Sequence, residues 1–382
     1  MQTLTPEKDV IDIVKENGTD LFKLCYQCGM CNTACPWNRV RNFLIRRIMH
    51  QTQLGLVDFE NEDLWLCATC KACVVRCPRG VEIIDVWRAL RRVMSEVGAG
   101  KVPDALSVAV KNVSGVGNPL GEAREKRIDW AKDLDVKIHT KGTEVLYFPC
   151  CYQAYDARGQ RVAKATANIL QKAGVDFGIL GNEQSCCGES IRKAGNEGLF
   201  QSLVESNVKA FNAAGVTRII TTSPHCYHTF KNEYPKSNGN FEVMHLAQYL
   251  AELVKEGKLK FTKELNKKVT YHDSCYLGRH NNIYDEPRQL LQSIPGLKLV
   301  EMINTREDSL CCGGGGARVW EETKKTERFS DIRVQQALEA GASTIASACP
   351  YCMIMFEDSA LTSNKSDAIE IKDLTEIIQE AL

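Results

Sequence analysis

Cys311-Cys312-Gly313-Gly314-Gly315-Gly316 decides how this chain is read, together with Cys275 before it and Cys349-Pro350-Tyr351-Cys352 after it. Five thiols sit in three short loops, and the intervening lengths each fit a strand and a helix. Such thiols converge more economically on one metal-sulfur cluster than on disulfides. Adjacent cysteines bond to each other only with strain, but they can ligate neighbouring irons while glycines let the backbone fold tightly around inorganic sulfide.

An earlier copy of the pattern lies upstream. Residues Val145 to Phe230 overlay Val269 to Phe356, with Cys151-Tyr152 on Cys275-Tyr276, Cys186-Cys187-Gly188 on Cys311-Cys312-Gly313, and Ser223-Pro224-His225-Cys226 on Cys349-Pro350-Tyr351-Cys352. A period of this length, roughly 125 residues, exceeds that of solenoid repeats and suits two pseudo-symmetric half-domains. Ser223 stands where the second copy has Cys349, so the first copy keeps four thiols: Cys151, Cys186, Cys187 and Cys226. Four thiolates suit a simpler iron-sulfur cluster or a tetrahedral zinc, with Cys150 or His225 as candidate substitutes for the missing fifth ligand.

The 382 residues suffice for two or three domains with real cores. Forty-eight basic residues balance 48 acidic ones, so composition gives no reason to expect nucleic acid as a partner. No signal peptide and no apolar run of the ~20 residues needed for a membrane span is evident, and a cytoplasmic protein is expected. Eighteen cysteines in such a chain point to metal rather than to a disulfide framework.

Two runs near the start carry the densest signal: Cys25-x-x-Cys28-x-x-Cys31-x-x-x-Cys35-Pro36 and Cys67-x-x-Cys70-x-x-Cys73-x-x-x-Cys77-Pro78. In this spacing three thiolates of one run are joined by the fourth of the other around a cubane [4Fe-4S] cluster. One cluster then takes Cys25, Cys28, Cys31 and Cys77, the other Cys35, Cys67, Cys70 and Cys73. Met1 to Leu24 reads as an amphipathic helix stopped at Asn17-Gly18 and serving as a lid; Val40 to Met49 and Val81 to Val97 read as further helices. The polar helix faces carry Arg39, Arg41, Arg46, Arg47, Arg88, Arg91 and Arg92, which either steer an acidic redox partner or are simply solvated. Gly115 to Gly121 fails as a nucleotide fingerprint, because no strand precedes it and Pro119 interrupts it.

From Thr143 the pattern becomes strands alternating with helices. Strands are expected at 145–148, 175–180, 216–222 and 241–244, then at 268–272, 297–302, 343–346 and 368–371. Helices are expected at Gly159 to Ala173, Glu197 to Ala214 and Thr323 to Ala340, with one more after each of the strands at 241–244 and 368–371. The fold class is therefore α+β and multidomain: a helical, ferredoxin-like domain with two [4Fe-4S] clusters (1–97), a linker (98–142), and two parallel-sheet α/β half-domains (143–260 and 261–382). Their ligand cysteines belong in loops at the carboxyl ends of strands.

The doubled run CYQCGMCNTACP and LWLCATCKACVVRCPRGVEI, followed by duplicated Cys-Cys-Gly motifs, resembles the D-type subunit of heterodisulfide reductase and its relatives. In that family a part like the enzyme's C-type subunit is fused to a part like its B-type subunit, and the resemblance covers nearly the whole chain. It implies a noncubane [4Fe-4S] cluster on Cys275, Cys311, Cys312, Cys349 and Cys352, able to attack or stabilise a thiol sulfur. Relatives include electron-transfer subunits of benzoyl-CoA reductase complexes and membrane-linked menaquinol oxidoreductases.

Two functions follow. In one, the chain is an oxidoreductase component that passes electrons through the cubanes to the noncubane cluster and reduces a disulfide or thiol-type substrate. His272 and His280 are then candidate proton donors and Arg279 a candidate anchor for a substrate anion. In the other, the chain is a relay that never touches an organic substrate. With no P-loop and no dinucleotide fingerprint, flavin or NAD chemistry is expected in another protein of the same complex. That partner is a flavoprotein or a membrane cytochrome b-type protein, which would place this chain peripherally at the inner membrane.

Overall fold

Residues 5–382 are described by a computed structural model. Up to Val116 the chain is helical: α1 (Lys8–Asn17), α2 (Met30–Ala34), α3 (Ile45–Leu54), α4 (Ala72–Val75), α5 (Ile83–Arg92) and α6 (Asp104–Val116). The helix expected over Met1 to Leu24 is shorter, and its first four residues lie outside the described ones. It stops at Gly18, where a side chain would run into the Asp85 carbonyl; Thr19 then caps a separate 3-10 turn by accepting from Leu21 N at 3.0 Å. The helix expected at Val40 begins only at Ile45. Asn38 holds the preceding loop, donating to the Phe43 carbonyl and accepting from its N–H at 2.8 and 2.9 Å.

Two four-stranded, all-parallel sheets follow. The first has β1 (Val145–Tyr147), β2 (Phe177–Gly178), β3 (Arg218–Thr221) and β4 (Glu242–His245) in the order β2-β1-β3-β4. Its helices are α7 (Cys151–Tyr155), α8 (Ala157–Lys172), α9 (Glu189–Lys193), α10 (Glu197–Ala213), α11 (Pro224–Asn232) and α12 (Leu246–Lys255). The second sheet repeats that order with β5 (Lys268–Tyr271), β6 (Lys298–Leu299), β7 (Thr344–Ser347) and β8 (Glu370–Asp373). Around it lie α13 (Asp285–Gln292), α14 (Phe329–Glu339), α15 (Pro350–Thr362) and α16 (Leu374–Ala381). Central strands covered on both faces read as unbroken apolar runs, and Val145–Tyr147 is buried throughout.

The strands β2 and β6 are two residues long rather than six, each laddered to its neighbour over two residue pairs. The helix expected from Thr323 starts at Phe329, whose ring packs edge-on against Trp37 of the helical part at 5.1 Å. Helices α11, α13 and α15 exceed the sequence expectation. Two of them start at the proline of the Ser/Cys-Pro motif, where the ring presets the first helical turn.

The halves are related by an approximate two-fold. Helix α8 of the first packs on α16 of the second, and their counterparts α13 and α12 pack together in the same way. One apolar core runs through both, joining Ile169 and Leu170 to Ile377 and Ile378, and Leu250 to Leu290. Residues 98–142 fold back on the first half: Trp130 enters this core, and Ile138 bridges to Ile179 at the sheet edge.

The helical part rests on the second half. Its core takes in Tyr276, Leu310 and Phe329, and Arg91, fully buried, donates to the carbonyls of Leu64, Cys67, Lys193 and Gly316 at 2.9 to 3.1 Å. A Cβ at Gly315 or Gly316 would collide with the Ala68 or Cys67 carbonyl. These glycines therefore serve the close approach of the Cys67 loop, a role beyond the wrapping of sulfide expected from the sequence.

Candidate iron-sulfur centres

None of the 18 cysteines is in a disulfide. Thiols that stay reduced and converge in low-dielectric surroundings form the donor set of metal-sulfur chemistry. Left-handed residues Gly29 and Lys71, at φ 85° and 65°, cap the short helices α2 and α4 inside the two Cys-x-x-Cys-x-x-Cys loops.

Burial raises the Cys25 thiol, and the neighbouring Cys77 and Cys28 raise it further. Cys31, pushed up to about 11 by burial, feels Cys25 and Cys28. Cys35 is raised by burial and then by Cys70 and Cys67, while Cys73 is raised by burial and then by Cys67, Cys70 and Cys35. Two sets are linked across the sequence, Cys25 with Cys28, Cys31 and Cys77, and Cys35 with Cys67, Cys70 and Cys73, with Cys31 acting on Cys35 and Cys73 as well. In the first, Cys28 is exposed, with Tyr26, 60% exposed, beside it. The second lies deeper, and Cys70 makes a side-chain contact with Cys311 of the second half.

Around Cys311 the five thiols expected together do meet, all of them buried. Cys275 contacts Cys311, Cys311 contacts Cys312, Cys312 lies 3.2 Å from Cys352, and Cys352 contacts Cys349. Gly313 N donates to the Cys311 sulfur at 3.4 Å. Cys349 sits low, at about 6: burial opposes its ionisation, but hydrogen bonds from Cys352 and His225 outweigh it.

The expected neighbours of this site divide. His272 is fully buried, with ring nitrogens that come within 4.8 Å of Cys312 and Cys352, and it accepts from Arg333 Nε at 3.3 Å. Burial lowers its pKa. His280 points away from the sulfurs. It stacks on Tyr276 at 4.1 Å and bonds the Thr69 carbonyl at 2.8 Å. Arg279 is committed to the carbonyls of Cys70, Ser309 and Glu307 at 2.7, 2.7 and 3.0 Å, so it clamps two loops instead of facing a substrate anion.

The arginines of the helical part likewise separate. Arg91 is buried, Arg41, Arg88 and Arg92 pair with Asp63, Asp85 and Glu96, and Arg39, Arg46 and Arg47 are exposed.

In the first half Cys151 contacts Cys186, Cys186 contacts Cys187, and Cys187 contacts Cys226. The Ser223 hydroxyl is spent on capping α11, accepting from Cys226 N at 3.4 Å, whereas the equivalent Cys349 makes no such cap and its thiol stays with the other sulfurs. His225, a candidate substitute ligand here, turns away to the other half. It lies between Tyr276 and Tyr351, at 4.1 and 4.4 Å, with Nδ1 3.2 Å from Glu189. Burial disfavours its charge, but Glu189 overcomes this and raises the imidazole to about 10, with the nearby Cys349 acting in the same direction. Cys150 begins α7, and burial raises its thiol.

Arg127, which sequence reasoning passed over, comes from the 98–142 stretch. It is buried, with its guanidinium 3.8 Å from the Cys151 sulfur. No local signal marks it. Glu189 and His225 did leave a trace: the repeat has Gly314 and Tyr351 at those places, so the two departures of the first copy pair with each other.

Thiol groups of this kind, on a helical part joined to two parallel α/β halves, define an iron-sulfur electron-transfer protein. The family described as "4Fe-4S dicluster domain" matches residues 22–81, and that described as "Cysteine-rich domain" matches 145–231 and 269–357. The D-type subunit of dihydromethanophenazine:CoB–CoM heterodisulfide reductase from Methanosarcina barkeri (strain Fusaro / DSM 804) is 31% identical over 97% of both chains. The chain belongs to the family of that heterodisulfide reductase component.

It is also 40% identical to the probable iron-sulfur-binding oxidoreductase FadF of Bacillus subtilis (strain 168), and 38% to the EtfAB:quinone oxidoreductase of Syntrophomonas wolfei subsp. wolfei (strain DSM 2245B / Goettingen). Both matches cover 84% of this chain, which spans about half, 47%, of the length of those relatives. A crystal structure of a hypothetical protein from Helicobacter pylori shares the fold, with a TM-score of 0.54 at 11% identity, over 98% of this chain and 72% of the other.

Proposed function

We propose that this chain relays electrons between a redox partner and the thiol site of its second half, within a larger redox complex. The observation that carries the reading is the contact between Cys70 and Cys311. It completes a path of sulfurs from the exposed Cys28 through Cys31, Cys35 and Cys73 to the buried five-thiol site.

Cubane clusters on Cys25, Cys28, Cys31 and Cys77 and on Cys35, Cys67, Cys70 and Cys73, and a noncubane cluster on Cys275, Cys311, Cys312, Cys349 and Cys352, would supply one-electron transfer when bound. The protein supplies charge, hydrogen bonds and exclusion of water. Arg279 sets a cation among Cys70, Cys275 and Cys311, N–H groups of Thr69 and Gly313 bond sulfurs at 3.4 Å, and His225 faces Cys349. His272 lies beside Cys312 and Cys352. In the first half, Cys151, Cys186, Cys187 and Cys226 suit an iron-sulfur cluster or zinc, and the Arg127 cation beside them supports an anionic set of thiolates.

The partner is a flavoprotein or a membrane cytochrome b-type protein, and the name of the Syntrophomonas relative, EtfAB:quinone oxidoreductase, favours a relay of this kind. Among the described residues no helix is long and apolar enough to cross a membrane. We place the chain at the cytoplasmic face, held there by its partner.

A second reading, reduction of an organic disulfide at the five-thiol site, is favoured by the end-to-end similarity to the D-type subunit of heterodisulfide reductase. Turnover of such a disulfide by the isolated chain with reduced viologen would establish it over the pure relay.

The relay reading is tested by metal analysis of anaerobically prepared protein. The chain should hold more iron than the roughly eight atoms of two cubanes, and Cys312→Ser should lose the excess while the cubane signals persist. Equal iron in both proteins would end the reading.

A further inference from the structure

We propose that a cavity between the two halves binds the head group of a quinone. The inference rests on the relay reading, for which it names the terminal carrier. The cavity, about 410 Å³ and within the usual size range of small-molecule sites, lies between the start of α8 and one face of α15. Val162, Met353, Ile354 and Leu361 make its walls apolar. Three of its lining residues, Tyr152, Pro350 and Met353, directly follow Cys151, Cys349 and Cys352 in the chain.

Two buried polar side chains in the lining lack partners. Gln153, 1% exposed, uses Oε1 to accept from Cys150 N at 3.2 Å and from the Thr222 hydroxyl, which leaves Nε2 as an unpaired donor. Asp373, 2% exposed, uses Oδ1 to accept from Thr375 N and Oγ1 at 2.9 and 2.7 Å, while Oδ2 has no partner. Leaving such groups bare is costly, and a bound molecule with oxygen on an apolar frame satisfies both. An anionic disulfide suits the cavity poorly. It would meet Asp156, Glu357 and Asp358, and Arg158, the only cation in the lining among the described residues, is already engaged by Glu357 and Glu376.

Quinone becomes quinol by gaining two electrons and two protons. The electrons are those the redox partner delivers one at a time; Asp373 hands over one proton, reloads from solvent at the cavity mouth, and hands over the second. Burial raises the Asp373 carboxyl to about 7, against hydrogen bonds from Thr375; the groups facing it are Glu376 on its own helix, Arg158 on α8, Tyr147 on β1 and Tyr271 on β5. Such a carboxyl exchanges protons near neutrality.

The test is equilibrium titration of the anaerobic holoprotein with 2-heptyl-4-hydroxyquinoline N-oxide, a fluorescent quinone analogue, followed by its quenching. One saturable site is expected, weakened at least tenfold by Ile354→Trp, which fills the cavity. Asp373→Asn should abolish the change in affinity between pH 6 and 8. Iron content of each variant separates the outcomes: with full iron, unchanged binding in Ile354→Trp or no binding at all overturns the quinone site and leaves the relay standing, whereas displacement of the analogue by an organic disulfide overturns the quinone site in favour of disulfide reduction. Wild-type protein with only the iron of two cubanes would instead overturn the relay.

Discussion

Arg279 donates its Nε–H to the carbonyl of Cys70 at 2.7 Å, so a buried cation of the second half holds the loop that carries a sulfur of the helical part. The same guanidinium ties down the loop before Cys311 through Ser309 and Glu307. One side chain therefore contributes both position and charge to the two sulfur loops.

Arg279→Gln should lower the reduction potential of the nearest centre by on the order of 50 mV, because a reduced cluster loses a neighbouring positive charge. Redox titration monitored by electron paramagnetic resonance reads the shift. Arg279→Lys keeps the charge but not the fork of donors, so it should retain the potential while destabilising the fold by about 1–3 kcal/mol. An equal shift in both variants would show that charge is not the cause.

Gly315→Ala should loosen the helical part from the second half, since its Cβ meets the Ala68 carbonyl. A cost of roughly 1–3 kcal/mol is expected, seen as a lower denaturant midpoint. Gly115→Ala is the control. That residue lies inside α6 with open space around it, and the change should be neutral or stabilising by up to about 1 kcal/mol.

Ser223→Cys restores the fifth thiol of the first half at the expense of a helix cap. Stability should fall by about 0.5–1 kcal/mol. If four thiols are already a complete set there, iron content and spectra will stay unchanged; the prediction is that they change, because the hydroxyl now engaged with Cys226 N gives way to a sulfur beside Cys226.

Asp373 gives the protein a pH dependence of its own. Its carboxyl sits at about 7 when folded and near 3.8 when free, so the folded chain keeps a proton that the unfolded chain releases between those values. The resulting stability is complete at low pH and is lost as pH rises through about 7, by at most on the order of 4 kcal/mol. Glu376, Arg158, Tyr147 and Tyr271 are the charged or titratable groups around it. Denaturant midpoints between pH 5 and 8 should fall for the wild type and stay comparatively flat for Asp373→Asn, whose amide still caps α16.

Much of this architecture was legible before any coordinates. Alternating strand and helix signals located both sheets, and the Cys-x-x-Cys spacings marked the thiols of the helical part. Strand ends and helix starts were less legible. A loop such as Asn38 to Phe43 is ordered by a side-chain hydrogen bond that has no periodic signature.

The residues around the sulfurs divide the same way. The amino-acid sequence by itself determined which thiols exist, their spacing, and the duplication that left Ser223 opposite Cys349. Only the tertiary structure decided that His225 faces Cys349, that Arg279 is spent on carbonyls, that Arg127 reaches Cys151, and that Asp373 opens onto a cavity. Sulfur spacing is written locally along the chain, whereas a hydrogen-bond partner or a buried charge depends on which distant segments the shared core brings into contact.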